Sequence, residues 1–133
     1  MQALEYNNQK VPVLAGYYFR PKDVDAAAKD LNAVKKAFSW RPAMVPLAIL
    51  GSAVAGSPPY QIFTIASGSS ENAVKDYATH SYIIAPVDLE HKAGATENAA
   101  AKEIKAVLKA HKPPVTPGWV VLKDQFVVKT TTV

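Results

Sequence analysis

The feature that most constrains this chain is a run of 29 residues without a formal charge, Pro42 to Ser70, bounded by Arg41 and Glu71. No other uncharged run matches it. An uncharged stretch dominated by Ala, Val, Leu and Ile belongs either in a protein core or in a bilayer, since both remove apolar surface from water. The run divides the sequence into an N-terminal arm (1–41), an uncharged segment with membrane character (42–70) and a C-terminal part (71–133).

The membrane reading rests on length and flanks. A span needs about 20 apolar residues to cross roughly 30 Å of hydrocarbon. Residues 43–66 carry no charge and meet that length. Lys35, Lys36 and Arg41 precede the run and Lys75 follows it, which places the N-terminus on the matrix or cytoplasmic side. Ala48, Ser52 and Gly56 recur at steps of four, with Ala55 beside them, and small residues on one face let a second helix pack closely. Pro58-Pro59 lies inside the run and predicts a kink or break. The alternative makes 43–56 a buried core helix and 57–70 a polar loop.

The flanks have periodic segments of their own. Val24, Ala27, Leu31, Val34 and Phe38 recur at steps of three and four and predict an amphipathic helix over 23–38, closed by Pro42. Pro12 and Gly16 weaken a strand in Val11–Phe19, which reads as extended. Ser70 and Glu71 open a helix ending near Thr79, and 81–86 reads as a short strand. A second strong helix spans 97–111, with Thr96 as its cap and Ala100, Ile104, Val107, Leu108 and His111 on its apolar face. Lys112 and the proline-rich stretch after it stop that helix. Residues 119–122 and 126–128 flank Lys123-Asp124-Gln125 as a hairpin or two extended segments.

Composition excludes several chemistries. With no cysteine there is no disulfide, thiolate metal site, iron–sulfur ligand set or cysteine nucleophile. His80, His91 and His111 lack the close spacing of a metal site. Ser67-Gly68-Ser69-Ser70 is a polar exit from the apolar run rather than a nucleophile elbow, and Gly51 to Gly56 lacks the Gly-Lys-Ser/Thr ending of a phosphate loop. No catalytic, cofactor-binding or metal-binding residue is expected, and no cofactor. A net charge of +4, with thirteen of the fifteen basic residues lysine and no aromatics interleaved among them, argues against a nucleic-acid partner. Lys102, Lys105, Lys109 and Lys112 are candidates for contact with anionic lipid or an acidic partner, and otherwise form a solvated helix face. Met1 to Tyr6 shows no basic amphipathic presequence.

Pro42-Ala43-Met44-Val45-Pro46-Leu47, then Ala48 to Gly56 and Tyr60, preceded by Lys35, Lys36 and Arg41, resembles the MLRQ family of single-pass accessory subunits of the mitochondrial respiratory chain. The resemblance covers a small part of the chain, and Pro58-Pro59 departs from the family's continuing helix. It implies a non-catalytic structural subunit of an inner-membrane respiratory complex that supports assembly and electron transport. Its partners would be other subunits and membrane lipids, with its N-terminus on the matrix side.

The expected architecture is therefore mainly α: one transmembrane helix, extended and helical flanking arms, and short C-terminal β segments. The alternative is a small soluble α/β domain acting as a non-catalytic binding or assembly module. In that case helices 23–38, 44–56 and 97–111 would cover a sheet containing 81–85 and 119–128.

Overall fold

Four strands with side chains alternating between two apolar faces organise the molecule. The computed structural model describes residues 9–37, 45–65 and 81–130. Along these run β1 (Gln9–Phe19), α1 (Pro21–Ala27), α2 (Leu31–Ala37), α3 (Val45–Ala53), β2 (Tyr60–Ile65), β3 (Ser81–Pro86), α4 (Ala99–Ala110) and β4 (Trp119–Thr130). The strands pair antiparallel in the order β1-β3-β2-β4 and close into a barrel. Because every neighbour is antiparallel, β1 runs parallel to β2 with β3 between them, and β3 runs parallel to β4 with β1 between them. Each parallel pair is joined through helices, so two split β-α-β units interlock.

The closure is staggered. β4 pairs with β1 from Trp119↔Tyr17 to Val127↔Gln9, and with β2 from Val127↔Ile65 to Thr130↔Ile62. The two faces then bury different residues. Tyr17, Phe19, Ile62, Tyr82 and Ile84 face the helices and meet Val24, Leu47, Leu50, Ile104 and Leu108. Leu14, Phe63, Ile65, Ile83 and Ala85 form a second cluster, flanked by Tyr18, Val120 and Leu122. That is the period-two alternation of strands buried on both sides.

The expectation of a mainly α chain with a transmembrane helix is overturned. The run expected to cross a membrane over 43–66 is, where described, a nine-residue helix, a turn and a strand. Nine residues rise about 14 Å, less than half of the roughly 30 Å of hydrocarbon. Among the described residues no helix is long and apolar enough to cross a membrane. The inner-membrane location, which needed that helix, is corrected with it. The cause is local: Gly56 takes φ +84, a left-handed conformation open to glycine, and Pro58-Pro59 cannot continue a helix. Val54, Ala55 and Ser57 donate backwards to Leu50, Ser52 and Val54 carbonyls and close the helix end before β2 begins.

Two further expectations change. The helix over 23–38 is two short helices, because Asp30 turns its carboxylate onto the Ala33 N–H at 3.0 Å and caps a new start. The expected break at Lys123-Asp124-Gln125 is absent: β4 is continuous, with Lys123 opposite Val13 and Gln125 opposite Val11. Helix 97–111 is observed as Ala99–Ala110, capped by Asn98 rather than Thr96; the Asn98 side chain accepts from the Ala101 N–H at 2.8 Å. The helix expected after Ser70 lies outside the described residues.

Two residues that argued against β1 fit it for physical reasons. Pro12 lies where β3 does not reach, since β3 pairs only with residues 17–19, and a missing N–H is tolerated at a strand edge. At Gly16 a Cβ would sit 2.4 Å from Ile83 Cγ2 and 2.7 Å from the Ile84 carbonyl oxygen. Only glycine lets β3 cross this close.

Candidate functional site

The buried polar groups tie strands to helices. Tyr17, fully buried on β1, places its hydroxyl 2.5 Å from Glu97 Oε2 and 2.9 Å from the Ala101 carbonyl. One hydroxyl proton serves two acceptors and ties β1 to the first turn of α4. Burial, then the hydrogen bond to Glu97 and its charge, push the Tyr17 phenol well above its ordinary value. The phenol therefore holds its proton and acts as a structural donor. The Trp119 ring stands edge-on to Tyr17 at 5.1 Å, and its indole N–H donates to the Ala95 carbonyl at 3.3 Å.

His91 and His111 serve similar ends, and His80 lies outside the described residues. His91 Nδ1 accepts the Ala15 N–H at 3.2 Å, and its ring packs edge-on against Phe63 at 5.2 Å. His111 Nε2 donates to the Ala27 carbonyl at 2.7 Å and joins the C-terminal ends of α4 and α1. Among the described residues no three His, Cys, Asp or Glu side chains gather as a metal site.

Clefts open on the surface of the described residues. One of about 530 Å³ lies at an end of the barrel, between Tyr18, Arg20 and Asp23 on one side and Pro114, Pro117 and Gly118 on the other. Its charged groups are already committed: Asp23 Oδ2 accepts both the Arg20 backbone N–H at 3.0 Å and Arg20 Nε at 3.3 Å, fixing the start of α1. A smaller cleft of about 310 Å³ lies in the loop before α4. There Asn98 donates to Asp88 at 3.2 Å. Glu90 and Lys92 form an exposed pair, with the Glu90 carboxyl lowered and the Lys92 ammonium raised by their mutual hydrogen bond.

The third feature is the outer side of α4. Ala101, Ile104 and Leu108 are fully buried, whereas Lys102, Lys105 and Lys109 are exposed. Steps of three and four place these lysines on one face, and Lys112 follows just past the helix end. The row covers roughly 10 Å of helix from Lys102 to Lys109. The ion pairs among described residues are Arg20–Asp23 and Lys92–Glu90, so no described carboxylate engages the row.

No family model, curated protein or solved structure matches this chain.

The residues expected to pack one helix on another are not brought together on α3. Ala48 is half-buried, Ser52 is exposed, and Ala55 and Gly56 lie exposed in the turn beyond the helix end. The face that α3 does bury carries Leu47, Ile49, Leu50 and Ala53. Sequence reasoning did not single out Tyr17 or Glu97. They are 80 residues apart, and the pairing of β1 with β3 and the docking of α4 on the sheet bring them together.

Proposed function

We propose that this chain is a binding or assembly module without catalysis of its own, and that its contact surface is the lysine row of α4. The observation that supports this reading is the division of labour on that helix. Its apolar side is consumed by the domain's own core, while its outer side presents Lys102, Lys105 and Lys109 in register and ion-paired to no described carboxylate, with the exposed Glu103 at the edge of the row. An array of one sign attracts a partner of the other and favours its approach. The role of inner-membrane accessory subunit drew on a spanning helix that the described residues do not contain; the module reading has no such requirement.

Lysine footprinting tests the proposal. Amines are acylated on the purified chain and on the same chain in a native extract of its source. Lys102, Lys105 and Lys109 lose reactivity in the extract, while Lys22 and Lys36 on α1 and α2, equally exposed, keep theirs. Equal reactivity of all five in both samples sinks the reading.

A further inference from the structure

Resting on that reading, we infer that the partner of the α4 row is an acidic protein surface, with carboxylates at the spacing of a helix face, rather than a lipid bilayer or a nucleic acid. A helix that lies in a membrane interface buries an apolar face among the acyl chains while its lysines meet the headgroups. Here the apolar face is unavailable, because Ala101, Ile104 and Leu108 are fully buried against the domain's own core. Charge alone would then have to hold the bilayer. A basic patch is one signal, whereas stable membrane anchoring takes two.

Nucleic acid fits no better. Strand-binding surfaces combine cations with exposed aromatic platforms. Tyr17 is fully buried against α4, and Trp119 is held edge-on to Tyr17 and bonded to the Ala95 carbonyl, so neither ring is a free platform. The row itself holds lysines only, and these are point charges rather than the planar forks that read bases and phosphates bidentately.

A carboxylate row answers every one of these features. Lys102, Lys105 and Lys109 repeat at the interval at which Asp or Glu residues on a partner helix would meet them. Exposed Ala106 and Ala110 beside the row leave room for the partner's backbone to come near, and the exposed Glu103, three and seven residues before them, marks the edge beyond which an acidic partner is repelled. The row also continues at its end. His111 is bonded to the Ala27 carbonyl, so Lys112 and Lys29, each within two residues of that bond, lie at the same corner of the helical layer.

The test is a titration of the purified chain against three probes: a helical peptide with glutamates at i, i+3 and i+7, phosphatidylserine vesicles, and single-stranded RNA. The double variant Lys105→Glu/Lys109→Glu is run beside the charge-matched control Lys22→Glu/Lys36→Glu, and far-ultraviolet circular dichroism verifies that both stay folded. The expected result is saturable binding of the peptide that weakens at least about fivefold in the α4 variant and much less in the control, with little uptake by vesicles or RNA. Lysine-dependent binding to vesicles or RNA in place of the peptide overturns the partner class and leaves the contact surface standing. Equal weakening by both variants, or no binding to any probe, overturns the surface as well. Self-association that the α4 variant abolishes in sedimentation would make a second copy of the chain the occupant and would likewise overturn the inference.

Discussion

Residues 45–65 and 99–112 lay one helix each against the same core, and they differ in what they leave outside. α3 buries Leu47, Ile49, Leu50 and Ala53, and its exposed positions are small and uncharged. α4 buries Ala101, Ile104 and Leu108, and its exposed positions include Lys102, Lys105 and Lys109 beside Glu103 and small alanines. The buried sides are interchangeable in kind; the outer sides are not. Lack of charge in the first segment reflects a helix, a turn and a strand that serve the interior, because β2 is paired on both edges by β3 and β4. A long uncharged run is thus evidence of burial and does not by itself distinguish a bilayer from a core fed by several short elements.

The comparison breaks if the two inner faces are not equivalent. Leu50→Ala and Leu108→Ala, both at fully buried positions, should each lower unfolding free energy by about 2–5 kcal/mol in urea titrations. A loss at one site only would mean that the helices do not share a core. Gly16→Ala should cost about 1–3 kcal/mol, since the new methyl meets the Ile84 backbone as well as the Ile83 side chain.

Tyr17→Phe should cost about 1–2 kcal/mol by removing the donor that links β1 to α4. Its pH dependence sharpens the point. The folded-state phenol is raised above the ordinary value near 10, so its contribution is fully present below pH 10 and is lost as pH rises past that value. The stability gap between wild type and Tyr17→Phe should narrow above pH 10. A constant gap would remove the hydroxyl from the account. Gly56→Ala, with open space around the site and φ +84, should cost about 1 kcal/mol through backbone strain alone. Replacing Lys105 by Ala should move stability by less than about 0.5 kcal/mol, which separates the outer face of α4 from its inner one.

Much of the architecture was legible where a segment obeyed one rule along its whole length. α4 kept a single apolar stripe, and its inner residues Ile104 and Leu108 were on the expected face. β3 was short, apolar and bounded. The alternative α/β arrangement also placed 81–85 and 119–128 in a sheet, and both lie in β3 and β4. Legibility failed where tertiary contacts decide. Gly16 looks like a weak point in a strand until β3 is laid across it. Asp30 has helical neighbours on both sides, yet its carboxylate caps a second helix. β2 follows two prolines inside a stretch of span-like composition, and only the ladders to β3 and β4 make it a strand. For the candidate surface, the lysines were visible as a set in the sequence. What was not visible is that the opposite side of their helix is wholly absorbed by the core.

The most direct test of this account is residue-resolved amide hydrogen exchange across 45–65. Protection should fall around Gly56 and Ser57 and rise again through Ile62 to Ile65, to a level matching β3. Unbroken protection with helical chemical shifts from Val45 to Ile65 would restore a single long helix and contradict the barrel.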